Sequence, residues 1–199
     1  MDGKDGEREL SAIAARAASV DPVDSEAIAE LLTRIRPMVV RYCRARLGRT
    51  GGGAYTTADD VAQEVCIAVM SALPRYRDVG RPFSAFVFGI ASHKVSDAHR
   101  GASRDLSQPV EVLPDVIDSA NDPEQAALAA DRAARVHELL GNLSDIQREV
   151  VLLRVAVGLS AEEAGSVLGM SPGAVRVAQH RALNRLREMV QSSANEVSA

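Results

Sequence analysis

Tryptophan is absent from this chain of 199 residues, and three Phe and three Tyr are its only benzene-type rings. An aromatic content of 3% leaves small aliphatic side chains to build the core. With β-branched runs between turn signals also scarce, the composition favours helices over sheets. Cysteine is nearly missing: Cys43 and Cys66 cannot form a disulfide framework or a four-ligand zinc site by themselves. They read as small core residues rather than a redox pair. No stretch reaches the ~18 consecutive apolar residues of a membrane span. The opening Met1–Glu9 is acidic and has no apolar centre, so it does not read as a secretion signal. A chain 46% hydrophobic and 25% charged is globular in composition, and the expectation is a cytoplasmic, all-α protein.

Lysine is the other scarcity. Among 23 basic residues only Lys4 and Lys94 are lysine. The planar guanidinium suits phosphates and guanine edges, although GC-rich coding produces the same bias. A formal net charge of −4 argues against a nucleic-acid partner, but the distribution argues the reverse. Residues 1–33 carry −5, residues 34–58 hold six Arg and no acid, residues 59–100 balance, residues 101–138 carry −5 again, and 139–199 balance. Arg176, Arg181, Arg185 and Arg187 lie in a stretch without an acid.

Hydrophobic periodicity divides the chain into two small helical domains joined by a flexible acidic linker. Residues 1–23 read as an acidic tail, 24–100 as a first module, 101–121 as the linker, 122–190 as a second module and 191–199 as a tail. In the first module Ile28, Leu31, Leu32, Ile35, Val39 and Tyr42 mark a helix over 25–47, with Pro37 expected to kink or break it. A glycine-rich loop runs from Gly48 to Tyr55. Thr57 and Asp60 fit a capping box opening a helix whose Val61, Val65, Val69 and Leu73 face inward. A second loop covers 74–83. Ser84 is then expected to cap a third helix reaching about Arg100, with Phe86, Val87, Ile90, Ala91 and Val95 inside.

In the second module Asp122-Pro123 reads as a cap followed by a proline at the first helical position. Ser144/Gln147 and Ser160/Glu163 are capping boxes, and Gly158 and Gly169 end the helices they open. Ile146, Val150 and Leu153 are expected inside. Ser171-Pro172 starts a last helix to about Val190, so that a short helix, a tight turn and a longer helix make a helix-turn-helix. At 100° per residue, Val175, Ala178, Ala182, Leu186 and Met189 form the core side of that helix. Arg176, Val177, His180, Arg181 and Asn184 lie opposite, a mixture that suits the major groove: Arg for guanine or phosphate, valine methyls for a thymine methyl. Backbone N–H groups behind Ser171 and Gly173 suit a phosphate. Gln179 falls near the core side and needs a partner.

Two blocks carry a family resemblance. Asp59-Asp60-Val61-Ala62-Gln63-Glu64-Val65, then Ala72-Leu73-Pro74-Arg75-Tyr76 and Pro82 to Ala91, resemble region 2 of the extracytoplasmic-function (ECF) sigma factors. Leu143 to Val150, Gly158 to Glu163 and Leu168 to Leu186 resemble their region 4. The wording around Arg41–Arg46 and Val175–Leu183 further resembles an actinobacterial subgroup. The resemblance implies a protein with no catalysis of its own and no cofactor or metal. Its implied partners are core RNA polymerase (β′ clamp and β flap), promoter DNA and an anti-sigma factor, with no membrane contact. It places Asp60, Gln63 and Glu64 on the β′ clamp. Tyr76, Arg77, Phe83, Phe86, His93, Lys94, Asp97 and Arg100 fall at the minus-ten element, and Ser171, Arg176, Val177, His180 and Arg181 at the minus-thirty-five element. Of the rings, Phe86 is expected to be buried and Tyr76 to meet DNA. His93 and Phe86 stand where many members have Asn and Trp.

Physical chemistry supports these roles separately. Asp60 and Glu64 share a helix face that suits a basic partner, and rings can stack on unpaired bases for roughly 1–3 kcal/mol each. The rival enzyme reading, Mg²⁺ on Asp59, Asp60 and Glu64, lacks a second acidic motif. The rival binding reading is a free-standing LuxR-type helix-turn-helix regulator, which predicts a domain with strands upstream.

Overall fold

The computed structural model describes residues 3–18, 24–48, 57–105 and 123–197. These form eight α-helices and no strand: α1 (Gly3–Ala17), α2 (Ser25–Leu47), α3 (Ala58–Ala72), α4 (Phe83–Asp105), α5 (Pro123–Gly141), α6 (Asp145–Val151), α7 (Ala161–Leu168) and α8 (Pro172–Val197). A 3₁₀ turn, Leu73–Arg75, follows α3, and α6 runs directly into a π-helical stretch, Leu152–Val157.

Local chemistry accounts for the boundaries. The Asp24 carboxylate accepts from the Ala27 amide at 2.8 Å and opens α2. Leu31, Ile35, Val39 and Tyr42 form its buried stripe. Pro37 sits on the exposed side and α2 is not broken there. The capping boxes at Thr57, Ser144 and Ser160 are all made. Gly158 and Gly169 hold the left-handed conformation, φ 91° and 67°, that ends the helices before them.

Several sequence expectations are corrected. The supposed acidic tail, 1–23, contains α1, whose Leu10, Ile13, Ala14 and Ala17 are buried at the helical spacing i, i+3, i+4, i+7. One of its acids is received by α2: Arg34 meets Glu9 at 2.6 Å, as well as Glu30 of its own helix at 3.4 Å. Arg16 answers from α1, 3.1 Å from Asp24. Ser84 does not cap α4. The helix starts one residue earlier, the Ser84 hydroxyl is buried without a partner, and the Ser84 amide donates to Glu7 Oε1 at 3.2 Å. An acid from α1 therefore supplies the acceptor expected from a local serine. The third helix also overruns the expected linker as far as Asp105, and α8 overruns the expected tail from 191 as far as Val197. Ile146 is 44% exposed rather than inside. The rest of the linker, 106–121, and the glycine loop from 49 to 55 lie outside the described residues.

The helices of both modules share one core. Val150, Leu153, Val157, Leu159, Ala161, Ala164 and Val175 belong to the same buried cluster as the stripes of α1 to α4. A smaller cluster, Leu140, Leu143, Val151, Leu152 and Ala182, closes the second module around α8.

Burial pushes the Glu7 carboxyl above its ordinary value, the Ser84 amide opposes this, and the nearby Glu163 adds to it. The folded state therefore holds the Glu7 proton more tightly than the unfolded chain does. Its contribution to stability is full below the ordinary carboxylate value and is lost as pH rises through the raised one. E7Q, which keeps an acceptor for Ser84, is expected to remove that part of the pH dependence of Tm. E7A orphans the Ser84 N–H and is expected to cost about 1–2 kcal/mol in thermal unfolding.

Candidate nucleic-acid interface

The loop after α3 and the start of α4 bring three rings together. Tyr76 and Phe83 centroids lie 5.1 Å apart at 88°, Tyr76 and Phe86 5.1 Å apart, and Phe83 and Phe86 5.5 Å apart. Phe83 is the buried member, at 0% exposure, and props up the other two. This exchanges the expected roles of the phenylalanines: Phe83 anchors the cluster, while Phe86 is half-buried beside Tyr76. The reason is the early start of α4, which turns position 83 into the bundle.

From Phe86 a stripe at helical spacing continues through His93, Asp97 and Arg100, all three exposed. Arg100 pairs with Asp97. Lys94 leaves this stripe and reaches across to Glu64 at 3.0 Å, tying α4 to α3. Arg77 is exposed next to Tyr76 and donates to the Tyr76 carbonyl at 3.1 Å. One site is thus formed from aromatic faces, a polar stripe and an exposed loop.

On α3, Asp60, Gln63 and Glu64 are exposed along one side, and Ile67, 57% exposed, extends the same side by a turn. The Asp60 carboxylate also completes the helix start, accepting from the Thr57 amide at 2.9 Å and the Thr57 hydroxyl at 2.8 Å. Asp59 pairs with Arg44, with Oδ1 2.7 Å from its Nε. Asp60 therefore caps the helix as well as facing solvent and Glu64 is paired with Lys94, which leaves Gln63 as the freer polar group of the face.

In the second module α7, the turn at Gly169 and α8 form the helix-turn-helix. Val175 and Ala182 are fully buried, and Arg176, Val177, His180 and Arg181 are exposed on the other side of α8. Val177, at 50% exposure, lies in the open among polar groups. Arg176 pairs with Glu162 of α7 at 3.2 Å, and Asn184 bridges His180 at 3.1 Å and Arg187 at 2.6 Å. The Ser171 hydroxyl accepts from the Ala174 amide at 3.2 Å, so it caps α8.

Sequence reasoning missed two positions that set this geometry. Gln179 finds its partner in Arg154, whose Nε donates to Gln179 Oε1 at 3.0 Å and whose Nη1 donates to the Leu159 carbonyl. One guanidinium on the π-helical stretch thereby fixes both the turn before α7 and the register of α8. Gly165 is the other: a Cβ there would lie 2.5 Å from the Met170 carbonyl oxygen. A small residue was legible at that position, but the approach of the next turn was not.

Comparison with known proteins shows the family. The family descriptions "Sigma-70 region 2" and "Sigma-70, region 4" match residues 31–105 and 133–186. The ECF RNA polymerase sigma factor SigD of Mycobacterium tuberculosis is 55% identical over 185 residues, 93% of this chain and 85% of that protein. ShbA of Streptomyces griseus, also an ECF RNA polymerase sigma factor, is 53% identical over 171 residues, 84% of this chain and 90% of that protein. The chain belongs to the ECF sigma factors. The structure of CnrH in complex with the cytosolic domain of CnrY superposes with a TM-score of 0.65 at 30% identity, covering 96% of this chain and 99% of that one. RpoE of Bartonella quintana, solved with the anti-sigma factor NepR, shares the fold with a TM-score of 0.56 at 19% identity over 82% of this chain and 96% of that one. This sigma factor is accordingly a DNA-binding transcription initiation factor rather than a LuxR-type regulator, and its first module is helical where that rival required strands. Helix α1 precedes the region 2 match and lies outside it. No helix among the described residues is long and apolar enough to cross a membrane.

Burial pushes the Cys43 thiol up to about 12, and burial also raises Cys66. Neither thiol is therefore set up as a nucleophile. Maleimide labelling of the native protein is expected to be slow at both, becoming fast only on unfolding. G165A is expected to cost about 1–3 kcal/mol by forcing the Met170 carbonyl away, read as a lower Tm and weaker duplex binding.

Proposed function

We propose that this sigma factor docks on the β′ clamp of core RNA polymerase through the α3 face and reads promoters with two separate surfaces. Asp60, Gln63 and Glu64 offer the clamp an acidic patch. Tyr76 and Phe86, backed by Phe83, stack unpaired minus-ten bases, while Arg77, His93, Lys94, Asp97 and Arg100 supply polar contacts around them. Extruding a base costs a few kcal/mol and needs such a lined pocket. Arg176, Val177, His180 and Arg181 read the minus-thirty-five duplex, with Ser171 at the phosphate-facing helix start. The polymerase supplies the chemistry, and the protein itself is not an enzyme. It acts in the cytoplasm, region 4 also meets the β flap, and an anti-sigma factor restrains it, as the pairing of RpoE with NepR illustrates for a relative in fold.

The observation that carries this reading is the pairing, in one chain, of a ring cluster on a region 2 bundle with a polar-and-valine face on a region 4 helix-turn-helix. Lys94 enters minus-ten recognition only by leaving Glu64, and Arg176 by leaving Glu162. Both pairs are exposed, so each exchange costs about 0–1 kcal/mol.

Binding of the full chain to purified core polymerase tests it. Gln63→Ala with Glu64→Ala is expected to weaken that binding while leaving helix content unchanged. Unchanged affinity removes the α3 face from the interface. Arg176→Ala is expected to lose about 1–3 kcal/mol at one minus-thirty-five guanine. Equal loss on all sequences marks a phosphate contact instead.

A further inference from the structure

The promoter reading above makes no use of α1, which lies outside the stretch matched to region 2. Its side chains nevertheless reach the base-receiving end of the bundle. Glu7 Oε1 accepts from the Ser84 amide at 3.2 Å, in the first turn of α4. The Ser11 hydroxyl, one turn further along α1, donates to the same oxygen at 3.3 Å and steadies the carboxyl. Leu10 lines a small apolar crevice together with Ser84, Val87 and Phe88. Helix α1 is itself anchored through buried Ile13, Ala14 and Ala17 and through the Glu9–Arg34 pair.

The residues just before α4, Arg81 and Pro82, carry no side-chain acceptor that could cap it. The Ala85 amide takes the Pro82 carbonyl at 3.0 Å. The amide of buried Ser84 takes Glu7, from 77 positions away. This turn holds the floor of the ring cluster. Phe83 is the first residue of α4 and fully buried, with Tyr76 edge-on to it at 5.1 Å and 88°. Phe86 follows one turn on and packs against both. A shift of the first turn therefore moves Phe83, and with it the two half-buried rings that it supports. Glu7 is also felt at the ring expected to stack: burial raises the Tyr76 phenol, and the charges of Asp78 and Glu7 raise it further.

We propose that Glu7 is a positioning residue for minus-ten recognition, holding the first turn of α4 so that Phe83 sets the height and tilt of Tyr76 and Phe86. Helix α1 thereby belongs to the base-receiving site. The inference rests on the two-surface reading above and adds to it a residue that acts through the rings without touching DNA.

Holoenzyme assembled from purified core polymerase and the full chain tests it. The probe is a promoter selected from a genomic library by the wild type, offered as a partly melted duplex with its minus-ten bases unpaired. E7A is expected to weaken binding by about five- to tenfold, part of what one stacked base supplies, and to blunt discrimination against minus-ten substitutions. Discrimination at the minus-thirty-five element and affinity for core polymerase are expected to stay as in the wild type. E7Q, which keeps an acceptor, is expected to restore binding. In a Y76A background E7A is expected to add nothing, because both act through the same rings. If E7A loses helix content, E7D, whose carboxylate falls one methylene short of the Ser84 amide, makes the same comparison. Equal loss of discrimination at both elements marks a purely structural role and overturns the proposal. Tighter binding by both E7A and E7Q also overturns it, by marking Glu7 as a charge that repels DNA. Loss of binding by Y76A with none by E7A defeats the positioning role alone. No effect of Y76A defeats the reading of the rings and the proposal with it.

Discussion

The arginines of α2 are the constraint on which the rest of the structure depends. Arg34 draws in α1, Arg44 holds the start of α3 through Asp59, Arg41 reaches the π-helical stretch, and Arg46 takes Glu149 from α6. Most of these pairs are exposed and individually weak. The Arg46–Glu149 pair differs because it is largely removed from water. Burial raises the Glu149 carboxyl, Arg46 and the Tyr42 hydroxyl act against that, and the net shift remains upward. A buried pair of this kind adds little net stability but is costly to break from one side. It therefore specifies which face of region 4 meets α2 more than it strengthens the contact.

Much of the fold was legible because its signals are local. Capping boxes, helix-ending glycines and the spacing of Val61, Val65 and Val69 depend on neighbours in sequence, and each appears where expected. The failures come from long-range partners. Helix α1 has a clear apolar stripe, yet its acids read as a solvated tail until Arg34 and the α4 start are seen to receive them. Ser84 looked like a cap, but Glu7, 77 positions away, supplies the acceptor instead. The block of six arginines in residues 34–58 entered the charge pattern that suits a nucleic-acid partner, yet four of them, on α2, have intramolecular partners.

The site shows the same division. Helical spacing correctly put Arg176, Val177, His180 and Arg181 on one side of α8. It could not show that Asp60 and Ser171 also cap their helices, that Phe83 rather than Phe86 is the buried ring, or that Arg154 answers Gln179. Residues with a functional assignment thus also shape the local backbone. A substitution at Asp60 consequently disturbs α3 along with any partner, whereas one at Gln63 does not.

In this account two surfaces on separate helical modules select the start site, and the polymerase carries out the synthesis. Transcription in vitro from a genomic library by purified core polymerase, with and without the full chain, measures that directly. The account predicts a set of start sites present only with the chain and sharing two elements about 25 base pairs apart, the difference between positions ten and thirty-five. Start sites identical with and without the chain would contradict it.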